Sequence, residues 1–213
     1  MSLRRLDTTA LIYLALAGVI ALGGVAVAAD GGNLFATANL VDMLTRTSLT
    51  GFLAIGMTLV ILCRSLDLSV GYTAALSSLV AATTMDGDPN RIVLGVAAVL
   101  LVSGLIGAAN GAIVSFLGVN PFIATLGVGL IIKGYLDTEY KGPAGAVPTV
   151  FQQFGYTRVA FIPVSTLVLL ALAAAGIWFL RSTRTGHHMY AVGGDVDVAR
   201  MSGVRTRSTM MTA

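Results

Sequence analysis

Charge is what this chain has least of. Of its 213 residues only 11% are Asp, Glu, Lys or Arg, against roughly 25% in soluble domains. A chain so poor in charge cannot cover a water-facing surface, and a hydrophobic content of 56% points to several membrane segments. Cysteine is nearly absent. Cys63 stands alone, so no internal disulfide and no cysteine metal cluster can form, and its apolar setting suits a small buried hydrophobe. No Gly-x-x-x-x-Gly-Lys-Ser/Thr loop occurs, which excludes ATP binding by that route. His187 and His188 are adjacent, so they project from different faces of a helix and make a poor metal pair. No catalytic constellation and no cofactor motif is present. The 13 basic residues outnumber the 10 acidic ones, yet they sit at the ends of apolar segments. They read as topology signals, not as a nucleic-acid surface.

What the chain does have is long uncharged runs: 11–29, 47–63, 68–85, 92–132 and 159–180. A crossing takes about 20 residues, so the fourth run is too long for one helix. Gly118-Val-Asn120-Pro121 divides it, because proline lacks an N–H and clashes with the preceding turn. One span then ends near Leu117 and a shorter one runs from about Phe122 to Leu136. The sequence thus predicts an all-α, polytopic membrane bundle of about six helices, with Asn39 as a cap ahead of the second. The first run follows Arg4 and Arg5 and is longer than a typical signal core of about 7–15 residues. It reads as a span, although Ala26-Val27-Ala28 leaves a cleavage reading open. An even number of spans puts both termini on one side. That side would hold Arg4, Arg5, Arg64, Arg181, Arg184, Arg200, Arg205 and Arg207, against Arg91, Lys141 and Arg158 opposite. The basic excess marks the cytoplasm. The segment 137–160, rich in Gly, Pro and Gln, reads as an exposed external loop.

Polar residues at membrane depth need partners or water. Asp67 follows Arg64 by three residues and opens Asp67-Leu-Ser69-Val-Gly71. Two readings stand. Asp67 or Ser69 caps the third helix with Asp67 paired to Arg64, or the junction is a helix break whose polar groups shape a gate or path. Asn110, inside the fourth helix, either bonds across helices or faces a polar pathway. Gly107 and Gly111 form a GxxxG pair suited to close helix packing. Arg46 is placed to snorkel. Lys133 is placed to do the same or to pair with Asp137. After the last span comes a basic, glycine-punctuated polar run, Gly186 to Gly203, built to be gripped by a cytoplasmic partner.

Three stretches, in order, carry a family resemblance. Residues 56–71, from Gly56-Met-Thr-Leu through Asp67-Leu-Ser-Val-Gly71, resemble the hallmark of monosaccharide-importing ABC transporter permeases of the ribose, galactose and xylose group. Gly107-Ala-Ala-Asn110-Gly111 with Val119-Asn120-Pro121-Phe122-Ile-Ala-Thr-Leu-Gly127 resembles the second signature. Residues 181–204 are similar to the cytoplasmic coupling loop. One departure is that Arg64 and Ser65 stand where the family usually has glycines. The resemblance implies a single permease domain over 1–213 with a coupling segment at 181–207. It further implies a fold with about ten helices, of which this chain would be a C-terminally truncated version. It makes Asp67, Ser69, Gly71, Asn110, Asn120, Pro121 and Phe122 translocation or gating candidates. ATPase coupling falls to Gly186, Tyr190, Gly193, Gly194, Ala199, Arg200, Met201, Ser202 and Gly203.

Within that segment, Asp195 or Asp197 can cap a short helix that Gly203 ends. Val198, Met201 and Ser202 give it a mixed docking face, and Gly193-Gly194 permit a chain reversal before it. The partners implied are cytoplasmic ATP-binding subunits, a periplasmic or extracellular sugar-binding protein, a second permease copy and membrane lipid. The implied setting is the cytoplasmic (inner) membrane of a prokaryote. A secondary transporter or channel without an ATPase, and a truncated permease that transports nothing, are the competing readings.

Overall fold

The computed structural model describes residues 8–140 and 142–212, so Arg4, Arg5 and Lys141 of the charge argument lie outside the described residues. The elements in order are α1 (Thr8–Ala29), α2 (Thr37–Leu62), α3 (Val70–Met85), a 3-10 turn (Pro89–Arg91), α4 (Ile92–Ser115), α5 (Pro121–Glu139), α6 (Thr149–Tyr156), β1 (Arg158–Val159), β2 (Ile162–Pro163), α7 (Val164–Ser182), α8 (Arg184–Gly194), α9 (Val196–Met201) and α10 (Thr206–Met211). The protein is an all-α membrane bundle. Its sole sheet among the described residues is the two-stranded hairpin β1–β2.

Each expected span falls on a helix. Four of them, α1, α2, α4 with its leading 3-10 turn, and α7, are long and apolar enough to cross a membrane. The apolar α3 has 16 residues, or about 24 Å at 1.5 Å per residue, short of a hydrocarbon core of about 30 Å. α5 carries Lys133, Asp137 and Glu139 in its second half. Lys133 pairs with Asp137 one turn on. The outer surface is densely apolar, as a lipid-facing bundle requires: Val19, Leu22, Val93 and Leu101 are each more than 60% exposed. α1 is apolar on every face and none of its crossing window is buried.

Inside, α3, α4 and α5 pack on one another, while α2, α7 and α8 form a second group. α10 touches both, through α4 and α8. Lipid gives helices no hydrophobic reason to associate, so small residues and interhelical hydrogen bonds carry the packing. Ser77 and Ser103 Oγ atoms lie 2.8 Å apart between α3 and α4. Ser48 Oγ and Thr166 Oγ1 do the same between α2 and α7 at 2.8 Å.

Several local expectations are corrected. α2 begins ten residues before Thr47, because the charges there neutralise each other in an Asp42–Arg46 pair at 2.7 Å. Asn39 lies inside its first turn and donates backwards to Leu34 O at 2.7 Å, so it is no cap. The α4–α5 break is made by Gly118 at φ +68°, which reverses the chain after Ser115. Pro121 does not break a helix. It opens one, at the first helical position, where its missing N–H is harmless. The 137–160 segment contains α6, and α7 starts at Val164 because the hairpin turns the chain first.

Candidate functional site

The α2–α3 junction is where the site begins. α2 ends in a Schellman motif: Ser65 N–H donates to Val60 O at 3.2 Å and Arg64 N–H to Ile61 O at 3.0 Å. The left-handed position of that motif is usually glycine; here it is Arg64, at φ +57°. The chain then runs without helix from Ser65 to Asp67. Asp67 Oδ1 accepts from Ser69 N–H at 2.8 Å and from Ser69 Oγ–H at 2.6 Å, which turns the chain into α3. Of the two capping candidates, Asp67 supplies the side chain. Ser69 stands at the N-cap without a side-chain cap bond.

Ser69 reaches further. It is fully buried, and its Oγ accepts from Asn110 Nδ2 on α4 at 2.8 Å. Thr125 on α5 closes the cluster. Its Oγ1 accepts from Leu68 N–H at 3.0 Å and lies 2.8 Å from Pro121 O and 3.2 Å from Leu66 O. Three elements thus converge on the break. Asn110 bonds across helices, the first of its two readings, and it also lines a cavity. The cavity of about 120 Å³ is bounded by Val60, Ser65–Asp67, Gly107, Asn110, Gly111, Val114, Pro121, Thr125 and, from α10, Met210 and Met211. Asn110 Oδ1 is buried with no hydrogen-bond partner. An unpaired buried carbonyl is costly, so this atom is an open acceptor for a hydroxyl or water. Both glycines of the GxxxG pair line the cavity; a Cβ on Gly111 would also meet Met211 at 3.4 Å, whereas one on Gly107 would meet nothing within 4 Å.

Not every candidate joins the cluster. Gly71 is exposed, and a Cβ added there would meet nothing within 4 Å. Asn120 caps α5 by accepting from Phe122 N–H at 2.9 Å, and the Phe122 ring points outward, half exposed. Thr125 was missed by the sequence reading. Its signal was available, as the only polar side chain between Pro121 and Ile132.

Arg64 does not pair with Asp67. Its guanidinium instead donates from Nε to Gly193 O at 2.9 Å and from Nη2 to Gly194 O at 2.6 Å. Those are the last carbonyls of α8, where a cation meets both orphan acceptors and the negative end of the helix dipole. α8 is capped by Thr183, whose Oγ1 accepts from Gly186 N–H at 3.1 Å. Gly186 has no room for a side chain: a Cβ would stand 2.5 Å from Leu180 O and 2.6 Å from Phe179 O. Gly193 is tighter still, with 2.1 Å to Leu62 O. These contacts press α8 onto the ends of α7 and α2, and Met189, Leu180 and Cys63 share a buried cluster there.

Gly193 and Gly194 do not make the expected reversal. They lie inside α8, and the chain turns at extended Asp195, φ −157° and ψ 123°. Asp195 Oδ1 caps α9, accepting from Asp197 N–H at 2.8 Å and Val198 N–H at 2.9 Å. The Val198 and Asp197 N–H groups hold its carboxyl below the usual range, and the positive charge of Arg64 acts the same way. Asp197 instead pairs with Arg200 at 3.4 Å. Gly203 ends α9 in a second Schellman motif, φ +84°, with Val204 N–H to Ala199 O at 3.0 Å. Tyr190, Val198 and Met201 are exposed by 51%, 56% and 81%, and Arg200 and Ser202 are exposed as well. Ala199 is buried, so it supports the helix from beneath and is no part of its outward face.

A lipid-facing helix bundle, a cavity at the α2–α3 break and an outward-facing α9 that follows the helix bonded to that break describe a polytopic membrane protein with an internal cleft. Comparison with known proteins narrows the class. A family model described as "Branched-chain amino acid transport system / permease component" matches residues 39–213, and the chain belongs to that family. It is 37% identical over 177 residues to the ribose import permease protein RbsC of Escherichia coli (strain K12), covering 81% of this chain and 55% of that protein. It is 31% identical over 192 residues to the galactose/methyl galactoside import permease protein MglC of Salmonella typhimurium, covering 81% and 57%. With the D-allose transport system permease protein AlsC of E. coli K12 it shares 33% over 170 residues, covering 79% and 52%. The chain therefore spans little more than half the length of these relatives. No solved structure matches it.

Proposed function

We propose that the chain is the membrane-spanning part of an ATP-driven importer that carries a monosaccharide across the cytoplasmic membrane of a prokaryote. In this reading 1–213 form one permease domain that crosses six times with both termini cytoplasmic. Residues 181–207 contact the ATP-binding subunit. A sugar-binding protein delivers substrate to the outer face, and a second permease copy completes the pathway. The observation that carries the reading is the union of two features: an outward-facing α9, and an α8 bonded by Arg64 to the helix break that forms the cavity wall. A partner that moves α8–α9 would move that wall. The names of the three relatives, all sugar permeases, support the substrate class.

Crosslinking tests it. With Cys63 replaced by Ala, a cysteine at Met201, 81% exposed, should crosslink to a co-expressed ATP-binding subunit. A cysteine at Ala199, 3% exposed, should not. A complex that forms with neither position reacting would remove the coupling assignment. A chain that transports sugar with no ATP-binding subunit present would turn the reading to a secondary transporter or channel.

A further inference from the structure

Arg64 occupies a position that the backbone would give to glycine. The Schellman end of α2 needs a left-handed residue, and a side chain there is strained. Arginine at φ +57° is therefore a choice against local preference. The sequence around it departs from its family resemblance at this residue too. Unfavourable backbone persists when the surroundings over-determine it, and here the surroundings are visible. The planar guanidinium takes two successive carbonyls, Gly193 O and Gly194 O, in one fork. The bonded segment is the end of α8, immediately before the cap of α9. On the other side, the residues directly after Arg64 are Ser65, Leu66 and Asp67, which wall the cavity. Gly193 adds a rigid stop, since only hydrogen fits against Leu62 O.

We propose that Arg64 is a positioning residue: a strut that makes the α2–α3 break move with the end of α8, so that displacement of α8–α9 changes the cavity. This inference rests on the proposed ATPase contact for its source of motion, but not for the strut itself. A point-charge ammonium cannot span both carbonyls as the fork does, so lysine should preserve part of the link. Glycine should fold at least as well as arginine, because it is the default residue of the motif, and it removes both bonds.

The test has two arms, in Cys63→Ala chains in nanodiscs. Spin labels on exposed Ala191 of α8 and exposed Ala75 of α3 report the separation with no ATPase present. Arg64→Gly should broaden a narrow distance distribution, and Arg64→Lys should do so less. In the complex with the ATP-binding subunit, the modification rate of a cysteine at cavity residue Val114 is read with and without ATP and vanadate. Trapping should change that rate several-fold with Arg64, by an intermediate factor with Lys, and not at all with Gly. A narrow distribution in Arg64→Gly would overturn the strut. A full nucleotide response in Arg64→Gly would overturn its role in transmission, since a purely structural bond would widen the distances and leave that response intact. A wild-type chain with no nucleotide response would instead sink the ATPase contact, leaving the spin-label arm to decide the strut.

Discussion

Two adjacent glycines at the end of α8 should respond in opposite directions to the same substitution. In Gly194→Ala the new Cβ meets nothing within 4 Å, so only helix propensity acts, and alanine gains up to about 1 kcal/mol over glycine. In Gly193→Ala the propensity gain is the same, but the Cβ would stand 2.1 Å from the backbone oxygen of Leu62. That oxygen cannot swing aside as a side chain would. The helices must part by about an ångström, which loosens the Arg64 fork and the packing of buried Met189 and Val192. Overpacking typically costs about 1–3 kcal/mol. Taking the upper end, because the obstacle is backbone, and subtracting about 1 kcal/mol for propensity leaves a net loss of about 2 kcal/mol. Hydrogen–deuterium exchange of peptides covering 184–194, in nanodiscs, reads this as roughly a 30-fold loss of amide protection. Gly194→Ala should show equal or greater protection than the parent. If Gly193→Ala is protected as well as the parent, the close contact between α8 and α2 is wrong, and the transmission argument loses its rigid stop.

The remaining outcomes are quicker to state. The Asp195 carboxyl is held below its ordinary range by the N–H groups it caps, so its contribution is present above the ordinary carboxylate range and is lost as pH falls through its lowered value. Exchange protection of 196–201 should therefore drop on acidification and be insensitive to pH in Asp195→Asn; a parent profile matching Asp195→Asn would count against the cap. Reporter fusions at Gly142 and Arg184 should give opposite sides of the membrane, external and cytoplasmic. The same side from both would require a different number of crossings between α5 and α7.

Much of the fold could be read before any coordinates. Uncharged runs of crossing length report burial in lipid, and lipid-facing helices need no match to a tertiary partner, so α1, α2, α4 and α7 were legible from composition alone. Helix punctuation was legible where it is local chemistry: Asp195 and Gly203 bracket α9 because a carboxylate at the N-cap and a glycine at φ +84° act within one turn. The boundary of α2 was not, since two opposite charges four residues apart cancel in a helix while each alone suggests a span's end.

What tertiary structure decided was partnership. A spacing of three between Arg64 and Asp67 suits a salt bridge, but the left-handed turn of Arg64 sends its guanidinium to α8, 129 and 130 residues away in sequence. Thr125 looked like one more residue of an apolar helix until α5 laid it against the Leu66 and Leu68 backbone. Gly193 looked like a residue permitting a chain reversal, and its reason is instead the carbonyl of Leu62 on another helix. A sequence states which groups need a partner at membrane depth. Which partner each finds depends on helix approach and side-chain direction, and those are set only when the bundle closes.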